Sequence, residues 1–171
     1  MRTLVIYESM FGNTEHVARA IAEGVGNAQV VEVGLAPTRL PPDVELVIVG
    51  GPTHVHGMSR GTTRLDAADR VDRPIISPGI GIREWIDAVE PADVPIATFD
   101  TRVGGPRLLT GSAAKSATGR LARRGFAVLA AESFVLAHAP GDPFDQVPAT
   151  ELERARAWGR TLASRLPVAA G

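Results

Sequence analysis

Six consecutive residues, Ser9-Met10-Phe11-Gly12-Asn13-Thr14, carry the clearest chemistry in this sequence. They leave the apolar run Leu4 to Tyr7 and enter a segment in which Val17, Ala20, Ile21 and Val25 recur at helical spacing. At such a junction the first amides of the helix have no intrahelical acceptor, and the helix dipole favours an anion. The hydroxyls of Ser9 and Thr14 can donate to phosphate oxygens, while Gly12 permits close approach of the backbone. The loop holds neither lysine nor arginine and lacks the Walker pattern, so a nucleoside triphosphate with magnesium fits it poorly. A monophosphate held by neutral donors fits better. The alternative is a Ser/Thr cap on a tight strand–helix turn, with no ligand.

Other chemically capable residues lack the partners their chemistry needs. His54-Val55-His56 offers two imidazoles, but no third ligand stands at metal-binding spacing. Ser112-Ala113-Ala114-Lys115 matches a Ser-x-x-Lys pattern without its companion elements, and reads as a helix start. The chain has no cysteine, which removes thiolate nucleophiles, disulfides and cysteine-held clusters. His16 is expected to face solvent and His138 to be structural. Trp85 and Trp158 are expected to pack rather than stack on a ligand. No acid–base pair stands out, so no catalytic residue is assigned.

These residues must be positioned by a scaffold, and the hydrophobic pattern describes one. Apolar runs at Leu4 to Tyr7, Gln29 to Val33, Leu46 to Gly51, Pro95 to Asp100 and Phe126 to Ala137 read as strands, the last with a bend near Glu132-Ser133. Helical spacing joins them: from Asn13 to a stop at Gly26-Asn27, over Thr62 to Asp69, through Ile82, Trp85, Ile86 and Val89, and over Ser112 to Arg124. A last helix buries Leu152, Ala155, Gly159, Leu162 and Leu166. Pro52 to Ser59 and the residues after Asp100 read as loops. Alternation of this kind predicts an α/β fold: a doubly wound, five-stranded parallel sheet of order 2-1-3-4-5 with helices on both faces. The 171 residues suit a single domain, 1–171.

Composition narrows the setting. The formal net charge is −1 with no long run of either sign, so neither nucleic acid nor a membrane surface is expected as a partner. The first apolar run is too short for a signal peptide and none reaches membrane-spanning length, which predicts a soluble, cytoplasmic protein.

The run Val5-Ile6-Tyr7-Glu8-Ser9-Met10-Phe11-Gly12-Asn13-Thr14, followed by Ala18 and Ile21, resembles the phosphate-loop signature of the flavodoxin family, short-chain type. The strand–helix order of almost the whole chain agrees, and flavodoxin is the standard example of the 2-1-3-4-5 order. The resemblance implies FMN as cofactor, held by Ser9, Met10, Phe11, Gly12, Asn13 and Thr14. It further implies that two loops flank the flavin ring: Pro52, Thr53, His54, Val55, His56 and Gly57 on one side, and Asp100, Thr101, Arg102, Val103 and Gly104 on the other. Flavodoxins often carry a ring-flanking Trp and Tyr in these loops; this chain has neither there. Arg102 beside the flavin would favour the anionic reduced form and raise the potential above that of a typical flavodoxin. It would not do so if it pointed to solvent or paired with Asp100.

The function implied is electron transfer between a reductase and an acceptor protein, by a monomer or weak dimer. The near-neutral charge departs from the acidic rim by which flavodoxins steer to basic partners. Two alternatives follow from the same fold: an FMN-dependent oxidoreductase of quinone-reductase or protoporphyrinogen-dehydrogenase type, and a binding or regulatory module that has lost the flavin.

Overall fold

The computed structural model describes residues 2–54, 57–69, 74–104, 111–138 and 145–166. The chain alternates β1 (Arg2–Tyr7), α1 (Asn13–Val25), β2 (Ala28–Glu32), β3 (Val44–His54), β4 (Gly57–Met58), α2 (Gly61–Ala68), α3 (Ile82–Ala88), β5 (Ile96–Val103), α4 (Ala113–Arg123), β6 (Val128–Leu136) and α5 (Ala149–Arg165). A short 3-10 turn, Val33–Leu35, follows β2.

The main strands are parallel and lie in the order β2-β1-β3-β5-β6, which is the expected 2-1-3-4-5 order. A sixth strand, β4, adds to this by pairing antiparallel with the end of β3. The central strands are buried on both sides, so their side chains divide by parity. Leu4, Ile6, Val47 and Val49 face Trp85, Ile86 and Leu121 on one side of the sheet. Val5, Leu46, Ile48 and Phe99 face Val17, Ile21, Ala155 and Leu162 on the other. Trp85 is fully buried, with its ring N–H donating to Pro37 O, and Trp158 packs edge-on to Phe134. Both are packing residues, as expected. His16 is exposed on α1.

Helices α1 and α5 cross at a glycine contact. A Cβ on Gly24 would stand 2.0 Å from Arg156 O, and one on Gly159 2.3 Å from Ile21 O. Only hydrogen fits at either position.

Two stretches expected as loops are strand instead. β3 runs on through Pro52 and Thr53 to His54, then turns back as β4, with Thr53 opposite Met58 and His54 opposite Gly57. β5 continues past Asp100 to Val103 because β6 supplies partners as far as Leu136. The bend expected near Glu132-Ser133 is absent: these residues pair in register with Phe99 and Asp100, and the irregularity lies at the start of the ladder, between Ile96 and Ala97. No helix among the described residues is long and apolar enough to cross a membrane.

Candidate functional site

Parallel strands bring their C-terminal ends to one edge of the sheet, and the order reverses between β1 and β3. A crevice must form there. It is a cavity of about 460 Å³, a volume typical of small-molecule sites.

Its floor is the turn from β1 into α1. Gly12 has φ of +105°, and its amide donates to Ser9 Oγ at 3.1 Å, which leaves the Ser9 hydroxyl hydrogen available. The first intrahelical bond runs from the His16 amide to Gly12 O at 2.9 Å, so the amides of Asn13, Thr14 and Glu15 precede it. Residues 75–77 brace the loop from outside. Ser77 Oγ accepts from the Ser9 amide, the Ser77 amide donates to Ser9 O, and the Ile76 amide donates to Met10 O. Ser9 and Thr14 are nearly inaccessible, at 1% and 2% exposure.

The walls come from β3, β5 and α2. Pro52, Thr53 and His54 end β3, and Thr101, Arg102 and Val103 end β5. Thr14 Oγ1 and Thr101 Oγ1 are hydrogen-bonded at 2.7 Å. Arg102 is 8% exposed, so it does not point to solvent. It is not a partner of Asp100, whose carboxylate is turned to the start of α4. There Asp100 Oδ2 accepts from the Ser112 hydroxyl at 2.6 Å and the Ala114 amide at 2.9 Å. Asp100 therefore caps α4 and does not line the cavity. Ser112 Oγ in turn accepts from the Lys115 amide, which makes the Ser-x-x-Lys segment a helix cap. Thr53 has a share in the same junction, its Oγ1 accepting from the Ala113 amide at 3.0 Å.

Ser9, Met10, Phe11, Asn13, Thr14, Pro52, Thr53, His54, Thr101, Arg102 and Val103 thus share one cavity. Gly12 shapes its floor, whereas Asp100, Gly57 and Gly104 stand outside the lining. Val55 and His56 lie outside the described residues. Asn13 does double duty as a clamp: its amide donates to Asp145 O and its carbonyl accepts from the Val147 amide. His138, expected to be structural, is exposed, 3.5 Å from Asp145. Among the described residues no group of three or more His, Asp or Glu could hold a metal ion.

Five lining residues escaped the sequence: Thr63, Asp66 and Ala67 on α2, together with Leu136 and Asp145. The α2 residues stand at i, i+3 and i+4, one face of a helix, which was the available signal. Phe11 is the one Phe, Tyr or Trp among the described lining residues.

The donor set suits an anion such as a phosphate. The hydroxyls of Ser9, Thr14 and Thr101 and the amides ahead of the first helical bond lie in one place. Apolar contact surface from Met10, Phe11, Pro52 and Val103 lies beside them.

No family model matches the chain, and no curated protein matches it. Solved structures with the same architecture include a flavodoxin from the domain Archaea, at 19% identity over 96% of this chain and 98% of that one, TM-score 0.62. Oxidised Flavodoxin 1 from Bacillus cereus superposes at TM-score 0.66, with 19% identity over 98% of this chain and all of that one (100%). The flavodoxin of Streptococcus pneumonia TIGR4 gives 0.61, with 13% identity over 97% and 100%. The chain therefore has the flavodoxin-like fold.

Proposed function

We propose that the chain binds FMN in this cavity and serves as a soluble flavin electron-transfer protein of the cytoplasm. The observation that carries this is the convergence of the Ser9, Thr14 and Thr101 hydroxyls with the α1 amides that precede its first intrahelical bond. Such a cluster offers a phosphate several neutral donors. Ser9, Gly12, Asn13 and Thr14 would hold the phosphate end. Pro52 to His54 and Thr101 to Val103 would enclose the ring.

Bound there, the flavin supplies one- and two-electron redox chemistry, and the protein's part is to hold it, exclude water and set its electrostatics. The fold supports this reading, since flavodoxins share the architecture over nearly the whole chain. A reductase and an acceptor protein would be the partners.

A second reading, an FMN-dependent oxidoreductase acting directly on a small acceptor, is favoured by Arg102. Arg102 is a buried cation among the lining residues, and its charge would stabilise a negatively charged reduced flavin, which suits two-electron turnover better than low-potential shuttling.

Titration of the purified chain with FMN and riboflavin tests the site. Yellow protein, with FMN bound at least about tenfold more tightly than riboflavin, is expected from charge-assisted bonds to the phosphate. Equal affinities would refute phosphate binding at Ser9 to Thr14. Direct turnover of a quinone by NAD(P)H, with no separate reductase, would select the second reading.

A further inference from the structure

Glu8 and Arg64 do not line the cavity, yet both are buried, at 1% and 5% exposure. Charged groups are kept inside only when they are paired or hydrogen-bonded. Glu8 Oε2 accepts from the Ile82 amide at 2.9 Å, and Oε1 accepts from the Ser59 hydroxyl. The same Ser59 oxygen accepts from Arg64 Nη1 at 2.9 Å. Glu84 stands across the guanidinium, 3.3 Å from Nη1 and 3.2 Å from Nη2, and also accepts from the Gly81 amide. The bundle has no slack: a Cβ on Gly81 would lie 2.5 Å from Arg64 Nη1 and 2.7 Å from Glu8 Oε2.

Helix α2 depends on this bundle. Its buried residues are Arg64 and Ala67. Ala67 and half-buried Ala68 add only methyl groups to a small cluster with Met10, Phe11 and Ile75, little apolar area to hold an eight-residue helix in place. The neighbouring positions Thr63, Asp66 and Ala67 line the cavity. Whatever fixes Arg64 fixes that wall.

We propose that Arg64, fastened through Ser59 to Glu8, is the positioning residue that sets α2 as a wall of the ligand cavity and so tunes how tightly the cavity holds its ligand. The choice of flavin as probe rests on the FMN reading; the fastening of α2 does not.

The bundle also has a pH signature. Glu8 is faced by Arg64 from α2 and Glu84 from α3, while Arg83 of α3 holds the carbonyls of Met58 and Ser59. Burial raises the Glu8 carboxyl above its ordinary range, against the Ser59 hydroxyl, the Ile82 amide and Arg64, and Glu84 adds to the rise. With α2 displaced, Glu8 would meet water and release its proton more readily. The docked wall is therefore favoured below the ordinary carboxylate range and loosens as pH rises through the raised value.

The test compares the wild-type chain with Arg64→Met, Arg64→Lys, Ser59→Ala and Glu8→Gln. Amide exchange over residues 61–68 is followed in the ligand-free chain, and FMN and riboflavin are titrated from about pH 5 to about pH 9. Arg64→Met is expected to speed exchange in α2 and to weaken both flavins about tenfold, with partial recovery in Arg64→Lys. Glu8→Gln, compared with wild type on FMN, should remove the part of the pH dependence that the phosphate does not supply. Ser59→Ala breaks the same link with the smallest change, and decides the matter if the Arg64 variants do not fold. Unchanged exchange in α2 together with unchanged affinities would overturn the proposal. A wild-type chain that binds neither flavin would overturn the FMN reading, and the exchange data would still decide the role of Arg64.

Discussion

The hydroxyls of Thr14 and Thr101 meet at 2.7 Å, joining the first turn of α1 to the end of β5 inside the cavity wall. Two hydroxyls bonded to each other use one hydrogen and leave the other to donate. A phosphate entering the loop can take that donor, or separate the pair and take both. Thr14→Val keeps the shape and removes the donor. It should weaken FMN about tenfold or more, as expected for a hydrogen bond to a charged acceptor, and leave riboflavin nearly unchanged. Fluorescence titration with both ligands reads the difference; equal losses would place the phosphate elsewhere.

Arg102 carries the electrostatic prediction. Its side chain is enclosed beside Thr101 and Val103 rather than spread on the surface. If it favours the reduced, negatively charged flavin, Arg102→Ala should lower the two-electron midpoint potential by about 30 mV or more, 30 mV being worth ~1.4 kcal/mol for such a couple. Spectroelectrochemistry of the two proteins measures this. An unchanged potential would remove the physical basis of the oxidoreductase reading.

The α1–α5 contact makes a stability prediction independent of ligand. At Gly159 a methyl would overlap Ile21 O of the facing helix backbone, which cannot move aside as a side chain can. Gly159→Ala should cost about 1–3 kcal/mol, the usual range for overpacking, although alanine has the better helix propensity. Urea unfolding gives the midpoint shift. A stabilised variant would mean that the helices separate freely.

The parts of this architecture that could be read from the sequence are those governed by local period. Continuous apolar runs marked the buried strands, and the loop from Ser9 to Thr14 was legible because its donors lie close together in the chain. Asp100 was misplaced for a reason that strand geometry supplies. Thr101 faces α1, so the residue before it must face α4, and its carboxylate caps that helix. The end of β3 was hidden by Pro52 and by histidines that read as loop residues, although β5 partners it as far as Pro52 and β4 partners Thr53 and His54. The α2 wall is a tertiary fact. Met10 and Ala67 meet across the fold, and the buried group that fastens the helix is an arginine, which no apolar pattern announces.

The last prediction concerns the open edge of the sheet at β6. Glu151 on α5 reaches over to accept from the Val135 amide at 2.7 Å, a donor on a strand with no neighbour strand beyond it among the described residues. Arg154 holds the same carboxylate at 2.7 Å, accompanied by Glu132 at 3.1 Å, and its guanidinium lies 4.6 Å over the Phe134 ring. Burial pushes the Glu151 carboxyl up, but Arg154 and the Val135 amide outweigh it and leave it below the ordinary carboxylate range. A depressed folded value means that the stabilisation is fully present above the unfolded value and is lost as pH falls through the folded one. Glu151→Gln should therefore cost about 1 kcal/mol near neutral pH, screening at this half-open site included, and that cost should shrink as the medium is acidified. Denaturant unfolding at a series of pH values measures it. A cost that stays constant into acid would mean that the edge is held by the shape of the side chain and not by its charge.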